Sequence, residues 1–210
     1  MGEAQETQAR ELPRGRHRFA REAVTDSQRR RMLAAVAEAV ADKGYAATTV
    51  ADVVGAAAVS RRTFYEQFAD LEACFLAAYR DGMEWLLEQI RIAVRAHPAA
   101  GWRERARIAV EAYLDALAAR PAAARAFSIE ALGGGQAVLA HRAEVMRRWM
   151  QQWAGLERIA GGEGVGDDHL LLLVGGIEEL VRECLVTGDV SELPLLADRI
   201  TEISVSTLER

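Results

Sequence analysis

Arg61 and Arg62 follow Ser60 directly in the run Val59-Ser60-Arg61-Arg62-Thr63-Phe64-Tyr65. Serine is a strong N-cap residue, so a helix is expected to open there. Its first turn then carries two cations and no carboxylate. Positive charge at that end opposes the helix dipole, a local cost that points to an anionic partner. The planar arginine fork pairs in bidentate fashion with guanine O6 and N7, a geometry lysine does not copy. Phe64 and Phe68 lie four apart and can anchor an inner face, while Arg61 and Tyr65 share the outer one.

A short helix is expected just before this one. Thr49 and Asp52 have the spacing of a capping box, and Val50, Val53 and Val54 supply an apolar face at helical spacing. Thr49 can both cap that helix and turn its amide end towards a phosphate. Ala56-Ala57-Ala58-Val59 then carries the chain to Ser60. Two short helices, a tight turn and an arginine-rich start to the second describe a helix-turn-helix that enters the DNA major groove.

Taken together, Gly44-Tyr45, Thr48-Thr49-Val50, Asp52-Val53, Val59-Ser60, Thr63-Phe64-Tyr65 and Phe68 resemble the N-terminal domain of the TetR family of bacterial transcriptional regulators. The resemblance covers roughly residues 26–75. It implies that Ser60, Arg61 and Arg62 open the recognition helix and that Thr63 and Tyr65 touch phosphate. It also implies a C-terminal domain that binds a small molecule, and a homodimer on a palindromic operator. Release of double-stranded DNA by the effector would make the protein a repressor. Two positions depart from the family pattern. Ala58 stands where glycine is usual in the turn, and Leu71 stands where a phosphate-contacting lysine is frequent. These departures are the support for the alternative reading, a helical ligand-binding module that has lost strong operator binding.

Composition agrees with an all-α chain. Of 210 residues 50% are hydrophobic, and no alternating run of β-branched residues accumulates. The net charge of −5 at first opposes nucleic-acid binding. Its distribution does not: residues 1–70 carry 11 Lys and Arg against 10 Asp and Glu, and Arg10 to Arg31 hold eight arginines against three acids. Nucleic-acid binding follows the local patch. Arg14, Arg16, Arg18 and Arg21 are expected on a mobile basic arm, residues 1–24, that enters a minor groove or holds phosphates. Pro13 and Gly15 are expected to break any early helix.

The elements follow in order. A first helix is expected from about Asp26 to Lys43, stopped by Gly44, and the DNA-binding domain spans residues 25–70. A long helix runs from Leu71 to about Ala96 and opens a helical ligand-binding and dimerisation domain, residues 71–210. Further helices are expected at Trp102 to Ala119, from Pro121, at Gln136 to Arg158, at Asp167 to Val186, and from a Ser191 cap to Leu208. Trp85, Trp102, Tyr113, Phe127, Met146, Trp149 and Glu178 are candidates to line a pocket for an apolar or aromatic effector. Glu111 and His141 could add polar groups. Leu171, Val174, Gly175, Leu196, Ile200 and Ile203 are candidates for the dimer interface, since helices apolar beyond one stripe are buried on two sides.

No catalytic pattern appears. There is no H-E-x-x-H, no G-x-S-x-G and no P-loop, and the four histidines are scattered. No metal site or cofactor is expected. Cys74 and Cys184 imply no disulfide framework, which fits a reducing cytoplasm. A polar N-terminus and the absence of a long apolar run predict neither a signal peptide nor a membrane span.

Overall fold

The computed structural model describes the backbone of residues 14–161, 164–187 and 189–209, with side chains from Glu22 onward. Residues 1–13 of the expected arm lie outside the described residues, as do the side chains of Arg14, Arg16, Arg18 and Arg21. Among the described residues there are nine α-helices, two 3-10 segments and no strand. The helices are α1 (Arg14–Lys43), α2 (Val50–Ala56), α3 (Arg61–Tyr65), α4 (Leu71–Arg95) and α5 (Trp102–Ala119). They continue with α6 (Pro121–Ser128), α7 (Gln136–Ala160), α8 (Asp167–Thr187) and α9 (Ala197–Leu208).

Two expectations need correction. The first helix starts at Arg14 and not near Asp26, so Arg14, Arg16 and Arg18 sit on helical backbone. A proline just ahead of a first turn is compatible with helix, and a single glycine costs only about 1 kcal/mol, which the following Arg, Ala and Glu residues outweigh. At the other end, Ser191 does not cap one continuous helix. Asp189 is the cap, accepting from the Ser191 amide at 2.9 Å, and a 3-10 segment (Val190–Leu196) precedes α9. Pro194 lacks the N–H that an α-helix would use there.

Two clusters of buried side chains fill the molecule. The first joins Met32, Val36 and Val40 of α1 to Val53, Phe64, Phe68, Cys74 and Phe75. It also takes in Phe127 of α6 and Val138 of α7, which come from the far side of the chain. The second joins Leu86 to Leu114, Trp153, Val181, Leu185, Leu193 and Ile200. α4 therefore belongs to both: Cys74, Phe75 and Tyr79 serve the first core and Leu86 the second.

Backbone contacts tie the head formed by α2 and α3 to the rest. Gly44 ends α1 with φ +83° and its amide on the Val40 carbonyl. The next amide, Tyr45, donates to Glu130 at 3.1 Å from the 3-10 turn (Glu130–Gly133) that follows α6. Glu72, in the first turn of α4, accepts from the Ala137 amide at the start of α7. Where α4 crosses α6, a Cβ at Gly82 would lie 2.6 Å from the Phe127 ring, so only glycine permits that approach.

Ala58 closes α2 at φ +50°, the only positive φ at a non-glycine position among the described residues. Val59 donates to Val54 and Ala58 to Gly55, which is a Schellman closure with alanine in the place glycine prefers. Ala58→Gly should therefore stabilise the protein by about 0.5–1 kcal/mol, the left-handed penalty less the extra chain entropy of glycine. An increase in urea midpoint without a change in slope is the expected result.

His141 of α7 is buried, edge-on to Tyr79 with ring centroids 5.1 Å apart, and its Nε2 has no hydrogen-bond partner. Burial pushes its pKa below the usual value; the Glu144 carboxylate opposes this, and Arg80 and Arg148 add to it. The unfolded chain then takes up the proton at a higher pH than the folded one. Stability is complete above about 6.5 and falls as pH drops through that value. Comparing urea midpoints at pH 7.5 and 5.5 should show this loss, and His141→Gln should lessen it.

Candidate nucleic-acid interface and internal cavity

Local hydrogen bonds preset the two short helices of the head. Thr49 and Asp52 form a complete capping box: the Thr49 amide donates to Asp52 at 2.7 Å, and the Asp52 amide donates to Thr49 Oγ1 at 3.4 Å. Lys43 pairs with the same carboxylate at 2.6 Å. The Lys43 contact, and then Thr49, hold the Asp52 pKa down to about 2. The Thr49 amide itself is thus taken by Asp52.

Ser60 caps α3, its hydroxyl accepting from the Thr63 amide at 3.0 Å and lying 2.9 Å from the Thr63 hydroxyl. Phe64 is fully buried and packs on Phe68 with centroids 5.6 Å apart, which anchors the inner face. The opposite face is therefore turned outward. Arg61 and Arg62 are exposed, and Tyr65 is 57% exposed. Arg62 Nε pairs with Glu66 at 2.9 Å, one turn beyond the stretch in which no carboxylate was expected. Its side chain is still 89% exposed. Of the six expected head residues, Arg61, Arg62 and Tyr65 project together. Ser60 and Thr63 bond each other, and Thr49 serves the cap.

The helical body holds a cavity of about 240 Å³ between α4, α5, α7, α8 and α9. Its walls are mostly apolar, with Ile90, Val110, Trp149, Trp153, Val174 and Ile200 among them. Tyr113 donates to Glu178 Oε1 at 3.0 Å. Burial pushes the Glu178 pKa up, against the opposing Tyr113 hydrogen bond and the charges of Arg142 and Arg182. Tyr113 is pushed up as well, first by burial and then by the Glu178 charge.

Arg91, Arg95 and Arg105 line the same cavity at the α4–α5 connection. Arg91 and Arg95 share Glu88, at 3.4 and 2.8 Å, so two cations answer one carboxylate. Arg105 donates to the carbonyls of Ala100 and Pro98, at 2.8 and 2.9 Å. The sequence signal for this cluster was a pair of arginines four apart beside the apolar stripe of α4, a pattern indistinguishable from a solvated face without the tertiary contacts.

Of the seven expected pocket residues, Tyr113, Trp149 and Glu178 meet at the cavity. Phe127 and Met146 line an adjoining crevice that shares those three residues. Trp85 and Trp102 lie elsewhere. Trp85 is covered by the Arg120 guanidinium at 3.5 Å, and Trp102 stacks under Arg103. Glu111 is paired with Arg107. On the expected dimer face, Val174 and Ile200 are buried within the chain as cavity wall, so they are unavailable to a second copy. Leu171 and Ile203 stay exposed at 49% and 46%, and Gly175 and Leu196 are half-buried. No group of His, Cys, Asp and Glu among the described residues could hold a metal ion. No helix among them is long and apolar enough to cross a membrane.

A capped two-helix head with an arginine-bearing outer face, carried on a helical body with an internal cavity, defines the class of helix-turn-helix transcriptional regulators. Residues 32–78 match the model of the bacterial regulatory proteins of the tetR family. The HTH-type transcriptional activator FasR of Mycolicibacterium smegmatis is 29% identical over 110 residues, 52% of this chain and 49% of that protein. The match thus spans about half the length of that relative. Among solved structures, the fatty acid degradation regulator FadR from Bacillus halodurans has a TM-score of 0.74 at 18% identity, over 85% of this chain and 94% of its own. FadR from Bacillus subtilis, solved in complex with stearoyl-CoA, has a TM-score of 0.71 at 19% identity, over 85% and 98%. A tetR-family regulatory protein from Rhodococcus RHA1 has a TM-score of 0.68 at 22% identity, over 86% and 96%. Residues 32–78, which hold α2 and α3, are thus similar to the tetR family, and the chain as a whole shares the fold of these solved regulators. The proteins this chain is similar to are regulators.

Proposed function

We propose that this chain is a two-fold dimeric, DNA-binding regulator that binds a palindromic operator and answers an amphipathic effector with an anionic head and a long apolar chain. The observation that carries the DNA reading is the outward set of Arg61, Arg62 and Tyr65 on a helix whose inner face is locked by Phe64. Two arginines on a short recognition helix suit base edges and phosphates alike. The basic arm residues Arg14, Arg16, Arg18 and Arg21 extend the same charge along the chain, and Ser60, Thr63 and Thr49 hold the helices in register.

The effector class is supported by the cavity itself, apolar along its walls with Arg91, Arg95 and Arg105 where α4 meets α5. The stearoyl-CoA held by the Bacillus subtilis FadR, a structure of the same fold, supports it too. A route from cavity to head exists in named contacts. α8 carries Glu178 and, further along, Arg182, which donates to the Ser128 carbonyl. Arg125 of α6 donates to the Leu185 carbonyl of α8. Two residues past Ser128, Glu130 accepts the Tyr45 amide just ahead of α2. An effector that moves α8 therefore moves the support of the reading head. It must bind the released conformer better by the free energy with which it weakens DNA binding.

We take release of DNA, hence repression, as the working mode. Activation is the second reading, favoured by the activator role of the Mycolicibacterium smegmatis relative. Fluorescence anisotropy with duplex from upstream of the protein's own gene, beside a scrambled duplex at two salt concentrations, tests the DNA reading. Binding should be tight to the native fragment alone and should weaken as salt rises. Arg61→Ala should cost about 1–3 kcal/mol on the native fragment and less on the scrambled one if Arg61 reads a base. Stearoyl-CoA should release the native fragment; retention of DNA with raised transcription would establish activation instead.

Dimer formation is supported by apolar side chains left uncovered on the last elements. Leu172 is 75% exposed and Leu195 79%, beside Leu171 and Ile203. Large apolar side chains left this exposed are candidates for an interaction site. Leu172→Glu should convert a dimer to a monomer in sedimentation and weaken operator binding, while leaving the helical circular dichroism unchanged.

A further inference from the structure

The cavity has two polar ends. Arg91, Arg95 and Arg105 cluster where α4 passes into α5, and the Tyr113–Glu178 pair lies deeper on α5 and α8. Arg105 and Tyr113 are eight positions apart on one helix, which places these ends about 12 Å apart along its axis. Apolar side chains such as Ile90, Val110 and Trp153 line the same cavity. A plain hydrocarbon tail with an anionic head would satisfy the arginines and the walls. Its methyl end would then press against a carboxyl group, which loses water and gains nothing in return.

We propose that Glu178 and Tyr113 form a specificity subsite for a hydroxyl group on the effector's apolar chain, at or near the end remote from its anionic head. This rests on the reading of the cavity as the effector site. A hydroxyl both donates and accepts, so it can pair with Glu178 whether that carboxyl is ionised or neutral. Burial raises the pKa of both residues, which favours their neutral, hydrogen-bonding forms. A site built to bond a hydroxyl discriminates against the chain that lacks it, because its own polar groups are left unpaired. Here Glu178 and Tyr113 partially satisfy each other, so the discrimination should be modest, about tenfold. The crevice below this pair is bounded by Tyr79 and Phe127, so a hydroxyl bound there also reaches the packing that supports the reading head.

The test uses the full chain and quenching of the cavity tryptophans Trp149 and Trp153. Octanoate, dodecanoate and hexadecanoate are titrated beside their terminally hydroxylated counterparts. The expected result is binding of one or more hydroxylated chains about tenfold tighter than the matching plain chain. Glu178→Leu should abolish that preference while still binding plain chains, and Glu178→Gln, which can still bond a hydroxyl, should keep most of it. Plain chains that bind the unmodified protein as tightly as hydroxylated ones would overturn the subsite and leave the effector reading standing. A preference that survives in Glu178→Leu would overturn the assignment to Glu178. If no chain of either kind binds, the effector reading fails and the subsite falls with it.

Discussion

The ring of Phe127 is where the two halves of the molecule become one structure. It stacks on Tyr79 at 5.0 Å, tilts against Phe75 at 5.8 Å and presses on α4 where Gly82 leaves room. Through Phe75 the packing continues to Tyr45 at the foot of the head, at 5.1 Å. A packed aromatic cluster of this kind resists small displacements, because moving one ring forces its neighbours to move. It fixes α6 against α4, and α6 in turn places the 3-10 turn whose Glu130 holds the Tyr45 amide. The orientation of the reading head is therefore a property of the body's packing as well as of the head itself.

Polar groups in the head are divided between holding and presenting. Thr49, Asp52 and Lys43 spend their hydrogen bonds on one another, and Ser60 and Thr63 do the same at the next helix start. What remains outward is Arg61, Arg62 and Tyr65. Short helices are marginal alone, since nucleation costs more than a few hydrogen bonds return. Caps and the buried Phe64 make these two persist, and the outward face keeps Arg61, Tyr65 and an Arg62 that pairs only with Glu66.

The body follows a different logic. Its helices leave a space at the junction of five elements, and charged groups enter that space only at its ends. Arginines near a surface keep partial hydration and a shared carboxylate, whereas Glu178 accepts from Tyr113 in a mostly apolar surrounding, with the charges of Arg142 and Arg182 opposing the effect of its burial. Such an arrangement is costly as mere structure and is therefore informative about what the cavity accepts.

The helical class, the capping box, the Ser60 cap, the limits of α4 and α5 and the outward arginine pair were legible in the residues, because each depends on neighbours within a few positions. Ala58 stood out in the residues only as a departure from the usual glycine, and the left-handed φ that makes it strained came from the structure. The early start of α1 and the 3-10 segment at Pro194 were not legible, because local breakers there compete with favourable neighbours and only the balance decides. The cavity was legible only as a set of aromatics. Tyr113, Trp149 and Glu178 come from three helices, and nothing in their spacing distinguishes them from Trp85 or Trp102, which face elsewhere. Val174 and Ile200 likewise belong to apolar stripes that could bury against this chain or another. Period alone says that a helix face is buried, and only the packing of distant segments determines against what.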